Sequence, residues 1–318
     1  MRLNKLFIIG VLAGTFLVSC KKDDNNDVET VPPRDQGEQS IDDDEAILAY
    51  LQTHFYNAED FENPAANFNY VVNFDTITGD NAGKTPIMDS DLLTSKIVRR
   101  DSVDYTIYIL KIREGAGDKP TFADSTFQNY KGELLNQDLF DNTANPVWFD
   151  FPGIISTNSQ GQPIRTNYVA ALGFIDGLVE FREASGYEVN PDNTIKWNND
   201  YGIGAVFMPS GLGYFANPPL SGSIPSYSPL IFSFQLYLVN QADHDQDGIP
   251  SYLEDLNNDK DLFNDDTDSD NFPNYLDTDD DGDGTLTRDE IIINEDGSIE
   301  FTDKNSNGIP DYLDPDTF

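Results

Sequence analysis

The last quarter of the chain sets the tightest limit on how it can fold. Residues 243–318 carry 25 of the 57 acidic side chains against only Lys260, Arg288 and Lys304, a net charge of −22. The densest run, DTDDDGDGTLTRDE at 277–290, places six Asp and one Glu in fourteen positions. Two like charges 4 Å apart near a protein surface repel by about 4 kcal/mol. Such a segment either stays extended in water or closes around cations. The whole chain, at −38, also repels phosphate backbones and anionic lipid head groups, which argues against nucleic acid as a partner.

Spacing favours the cation. A calcium loop of the EF-hand type reads D-x-[DN]-x-[DN]-G-x5-E, with side-chain oxygens at positions 1, 3, 5 and 12, a carbonyl at 7 and glycine at 6 for the sharp turn. Asp243, Asp245 and Asp247 with Gly248 and Glu254 fit it. Asp279, Asp281 and Asp283 with Gly284 and Glu290 fit as well, and so do Asp303, Asn305 and Asn307 with Gly308 and Asp314. Two weaker windows fill the interval: Asp266, Asp268 and Asp270 ending at Asp277, and Asp255, Asn257 and Asp259 ending at Asp266, where Lys260 takes the glycine place. The alternative is a solvated acidic tail, but solubility alone does not require glycine after the third ligand three times over. Sensor loops of this type sit between helices. Here IIINEDGSIEF follows Glu290 and reads as a hairpin, and Gly-Ile-Pro-x-Tyr-Leu at 248–253 and 308–313 puts proline inside the loop. Loops in series with little helix resemble thrombospondin type 3 repeats, which implies structural calcium and a rigid appendage over 243–318.

The other end is equally distinct. MRLNKLFIIGVLAGTFLVSC has Arg2 and Lys5 before an apolar run from Leu6 to Val18, too short to cross a bilayer as an ordinary helix and laid out as a secretory signal. Leu17-Val18-Ser19-Cys20 resembles a bacterial lipobox, which implies removal of 1–19, lipid on Cys20 and a lipoprotein of the bacterial outer membrane. Residues 20–44 are polar and aromatic-free, and read as a disordered tether. Their opening, Lys21-Lys22-Asp23-Asp24, resembles the tag that sends lipoproteins to the outer surface of some diderm bacteria; the alternative is a plain solvated linker.

Between these ends lies the folded part. DEAILAYLQTHFYNAEDF has apolar residues three and four apart at Ile47, Leu48, Leu51 and Phe55, which predicts an amphipathic helix. Residues 68–77, 104–115 and 230–239 are rich in aromatic and β-branched residues and read as strands. Residues 45–102 form an extension of helix and strand that covers the next domain, pairs with its sheet, or mediates dimer formation. Gly79 to Thr85 lacks one residue of a phosphate loop's glycine spacing. With only His54 and His244, and the one cysteine expected to carry lipid, Cys-His and Ser-His nucleophile pairs and ordinary zinc sites are disfavoured.

Four blocks in order then carry a resemblance. FQNYKGELLNQDLFDNT (127–143) holds Tyr130, Gly132 and a Phe140-Asp141 pair ten residues beyond the tyrosine; ALGFIDGL spans 171–178, PSGLGYF 209–215 and SIPSYSPLIFSFQL 223–236. Together they resemble the FKBP-type peptidyl-prolyl isomerases over 103–240. The resemblance implies an α+β fold, an antiparallel sheet wrapped on one short helix, acting without a cofactor on proline-containing polypeptides. It implies a hydrophobic pocket walled by Tyr130, Phe140, Phe174, Tyr214, Ile224 and Phe232, with Asp141 at the rim and Ala171 where a backbone N–H binds substrate. The chain departs from the family at Phe174 (usually tryptophan), Ala171 (usually bulkier), Phe215 (usually glycine) and the lengthened link 151–170. A peptide-binding module without turnover, and a calcium-dependent adhesion or assembly lipoprotein, are the rival readings.

Overall fold

Seven strands between residues 93 and 240 form one antiparallel sheet. The computed structural model describes residues 32–159, 163–166, 168–220 and 224–317; the signal sequence, Cys20 and the first part of the expected tether lie outside them. Helix α1 (Gln36–Thr53) is followed by β1 (His54–Tyr56), the short α2 (Ala58–Glu62) and β2 (Phe74–Thr76), which pairs with β1. Next come β3 (Leu93–Arg100), β4 (Val103–Arg113), β5 (Ser125–Leu134), β6 (Leu139–Asn142) and β7 (Val147–Asp150). A hairpin of β8 (Ile154–Thr157) and β9 (Pro163–Thr166) leads to α3 (Leu172–Leu178). A second hairpin, β10 (Tyr187–Val189) with β11 (Ile195–Trp197), precedes β12 (Gly202–Met208) and β13 (Leu230–Asn240). The tail holds one more hairpin, β14 (Ile291–Ile293) with β15 (Ile299–Phe301), where the sequence predicts it. The main sheet runs β3-β4-β12-β13-β5-β6, and β7 also pairs with β5.

The two central strands are apolar on both faces, and the layers explain why. On one face Val206, Phe232 and Phe234 pack with Phe174 and Leu178 of α3. On the other, Ala205, Phe207 and Ile231 meet Ile47, Tyr50 and Leu51 of α1. Burial on both faces favours continuous apolar runs over strict alternation. Helix α3 comes close because its two glycines face β12: a Cβ on Gly177 would lie 2.2 Å from Val206, and one on Gly173 would lie 2.7 Å from Met208. The fold is thus α+β, an antiparallel sheet wrapped on one short helix, with a helix-and-strand extension before it and a loop-rich tail after it.

Three expectations change. Residues 36–44 are helix, not tether: Asp35 caps α1 by accepting from Glu38 N, and Gln39 and Asp43 continue the stripe of Ile47, Tyr50 and Leu51 into the core. Their stripe is polar because it meets a polar target. Asp43 accepts from the backbone N (2.7 Å) and hydroxyl (2.6 Å) of Ser210 and from Gln39 (2.7 Å). Of the strand expected at 68–77, only 74–76 pairs; Tyr70, with φ 57°, breaks the extension. Residues 93–100, assigned to the extension, form the edge strand of the main sheet.

The change in composition at 240 does not divide the molecule either, since residues 34–318 form one compact unit. Tail residues Leu262 and Tyr275 pack on Ala123 and Phe122. Ala242 N donates to Asp124 (3.0 Å), the Tyr275 hydroxyl to Gly153 O (3.1 Å), and His244 Nε2 lies 3.1 Å from Asp150. No helix among the described residues is long and apolar enough to cross a membrane.

Candidate functional site

A cavity of about 810 Å³ is lined by residues of α3, β5 and β6 and by Tyr214, Pro219 and Ile224, and all eight residues expected at a peptide site line it. Strand pairing places the first three: Gly132 of β5 lies opposite Asp141 on one side and Phe232 on the other. The glycine is required there. A Cβ at 132 would sit 2.5 Å from the Phe140 ring, which lies across the bare backbone. Phe140 meets Phe232 edge-on at 5.5 Å, and Phe232 lies 4.8 Å from Phe174 of α3, so the floor is a continuous set of rings. Phe174 is 1 % exposed; it fills the floor position with Phe149 edge-on beside it at 6.3 Å.

Two of the polar groups that line the cavity are paired. The Tyr130 hydroxyl donates to Asp141 Oδ2 at 2.5 Å. Burial, then the hydrogen bond and charge of Asp141, push the Tyr130 phenol well above its ordinary value. Burial, and then the same carboxylate, raise Tyr214. Both phenols therefore keep their protons at neutral pH and remain donors. Ala171 stands immediately before α3, and Ile224 also lines the cavity.

Trp148, Phe149, Asp150, Tyr168, Val169, Ala170 and Pro219 also line the cavity and were not anticipated. Nothing local predicts Tyr168, which follows the β8–β9 hairpin in the chain. Arg165 of β9 stacks on Tyr168 at 4.8 Å and pairs with Asp261 of the tail at 3.1 Å.

The tail repeats one backbone device five times. At loop position 6, Gly248, Lys260, Asn271, Gly284 and Gly308 all have positive φ; at position 4, Gln246, Asn258, Ser269, Gly282 and Ser306 do too. In each loop the position-6 N–H donates to the first aspartate: Asp243, Asp255, Asp266, Asp279 and Asp303. The windows with Lys260 and Asn271 therefore adopt the same turn as the glycine ones.

Side chains converge less uniformly. Oxygens of Asp245, Asp247, Glu254 and Asp280 lie within 4.8 Å of one another, as do those of Asp266, Asp268 and Asp270, and of Asp279, Asp281 and Asp283. Asp277 is outside the second set and Glu290 outside the third. In the last loop Asp314 accepts from the Asn305 and Asn307 amides (2.7 and 2.8 Å), so that loop closes on its own hydrogen bonds. Burial, reinforced by the neighbouring carboxylates, raises Asp245 and Glu254 well above the ordinary range, and Asp280 to about 9. Clustered carboxylates with no nitrogen or sulfur donor suit a hard cation such as calcium.

A family model described as BamM C-terminal matches residues 244–301, within the tail. Among solved structures, a peptidyl-prolyl cis-trans isomerase from Pseudomonas syringae pv. tomato is similar over 48 % of this chain and 84 % of its own, at 18 % identity and a TM-score of 0.32. FkpA from Escherichia coli is similar over 48 % of this chain and 53 % of its own, at 20 % identity and a TM-score of 0.32. The N-terminal domain of FKBP42 from Arabidopsis thaliana covers 46 % of this chain and 92 % of its own, at 14 % identity and a TM-score of 0.31. No curated protein matches the chain.

Proposed function

We propose that the chain is a peptidyl-prolyl cis-trans isomerase of the FKBP type, acting on X-Pro bonds of polypeptides outside the cytoplasm. The observation that carries this reading is the gathering of Tyr130, Phe140, Asp141, Phe174, Tyr214, Ile224 and Phe232 around one cavity rich in aromatic rings. Rotation about an X-Pro bond crosses a barrier of about 18–20 kcal/mol because twisting removes amide resonance. The twisted form has lost the charge separation of the planar one, so an apolar floor of Phe140, Phe174 and Phe232 favours it over the ground state. No nucleophile is needed. Tyr214 would donate to a flanking carbonyl, while Tyr130 fixes the Asp141 carboxylate at the rim; together they hold the peptide in a bent shape.

Two further assignments complete the reading. Cys20 carries the lipid that anchors the chain to a bacterial outer membrane, and calcium, held by the loops from Asp243 onward, rigidifies the tail.

The test is the cis/trans exchange rate of a short Ala-x-Pro-Phe peptide, measured by NMR with the full chain in millimolar calcium. Exchange should accelerate, and Phe232→Ala should abolish the acceleration. Peptide shifts without faster exchange would leave a binding module in place of the enzyme.

A further inference from the structure

We infer that Asp280 is a calcium ligand shared between two loops, joining Asp245, Asp247 and Glu254 of the first loop to the fourth. This rests on the calcium reading of the tail. Asp280 falls outside the ligand pattern: it lies between positions 1 and 3 of its own loop, where the side chain turns away from Asp279, Asp281 and Asp283. It turns instead toward the loop that begins 37 residues earlier, bringing a carboxylate oxygen within 4.8 Å of those of Asp245, Asp247 and Glu254.

A cluster of acids would not by itself make a site, since exposed carboxylates are satisfied by water. Here water is excluded. Glu254 and Asp280 are each 1 % exposed, and all four of their carboxylate oxygens lack a hydrogen-bond partner among the described residues. Asp245 and Asp247 each contribute one more such oxygen. Four converging carboxylates that carry six buried, unpartnered oxygens need a cation between them, because an unpaired buried carboxylate is among the costliest groups a fold can contain. The set is all carboxylate, which favours calcium over metals that prefer imidazole or thiolate.

The placement of the ion follows from the chain path. The first loop is tied to the sheet domain through Ala242 and His244, and the fourth leads into the β14–β15 hairpin. Gly248 and Ile249 of the first loop already lie against Ile291 and Ile293 or within the cluster of Ile291 and Tyr312. One ion at this point closes residues 255–279 into a ring and fixes the far half of the tail to the near half.

The experiment is calcium titration of the chelator-stripped full chain by calorimetry, comparing Asp280→Asn, Glu254→Gln and the double variant. Each single change should remove one ion or weaken one site at least tenfold, and the double should lose no more than either single. Wild-type binding by Asp280→Asn, or additive loss of two ions in the double variant, would overturn the shared site while leaving the calcium reading intact. Absence of calcium binding by the wild type would overturn both. Melting supplies a readout that does not depend on binding: Asp280→Asn should melt higher than wild type in chelator, where it removes a buried carboxyl group that has no partner, and lower in calcium. A shift of the same sign in both media would refute the proposal.

Discussion

At Gly132 the absence of a side chain does chemical duty, because the Phe140 ring occupies the space a Cβ would take. Gly132→Ala should therefore cost about 1–3 kcal/mol in chemical denaturation, as overpacked sites do, and should displace Phe140 from the cavity. The check is urea unfolding together with peptide binding; a variant that keeps full affinity would mean the ring is not part of the site. Asp43 makes a complementary case. It anchors α1 by accepting from Ser210 N and Oγ inside the protein, so Asp43→Ala strands a buried backbone donor and should cost about 1–3 kcal/mol. The loss should appear in unfolding curves and not in the calcium titration. Phe140 and Asp141 were legible through the family resemblance that their spacing to Tyr130 carries, and strand pairing sets Asp141 opposite Gly132. Tyr168 was not legible, because it follows the β8–β9 hairpin and no periodic pattern encodes its place at the cavity.

Elements were readable where burial follows apolar periodicity and unreadable where polar atoms do the burying. The strands β4 and β13 stand out as runs rich in apolar residues. The start of α1 reads as solvated chain because Gln39 and Asp43 take core positions that Ile47 and Leu51 continue. Strand β3, with Lys96, Arg99 and Arg100 among its eight residues, looks like surface loop, yet as an edge strand it can afford charges that a central strand cannot. Lys96 also ties this edge to the turn after α3 through Glu180 at 2.9 Å, and Lys119 reaches the same carboxylate at 3.4 Å. Burial pushes Glu180 up, but the two lysines outweigh it and hold the group below its ordinary value of 4.5. A depressed folded value stabilises the fold above the unfolded one and loses that contribution as pH falls through it. Glu180→Gln should thus be less stable than wild type at pH 7, by no more than about 1 kcal/mol for a partly exposed pair. The gap should close as the pH drops below 4.5. A gap independent of pH in thermal melts would show that the ion pair is not its source.

For the whole molecule the tail is the open term. The sequence displays its ligand spacing plainly, but not that it packs against the sheet domain, since Tyr275 and Leu262 are two apolar residues in a strongly acidic stretch. Calcium at a hundred times its dissociation constant stabilises a folded chain by about 2.7 kcal/mol per ion. Chelation should accordingly lower the melting temperature by several degrees and open residues 243–318 to protease, and added calcium should reverse both. Identical digestion patterns with and without chelator would mean that the loops close without metal.

Lys260 gives the tail an address. Its loop is the one repeat that places lysine in the left-handed position where three others have glycine, and its ammonium lies 3.6 Å from Asp176 on α3, a carboxylate 4 % exposed and matched from the other side by Arg100 at 3.6 Å. A tail slipped along by one repeat would offer that carboxylate a glycine or an asparagine. The second loop therefore accepts a harder turn in exchange for marking which repeat must face the helix. Alongside the docking of Leu262 and Tyr275, that lysine labels one unit of the array as the one that belongs at the helix.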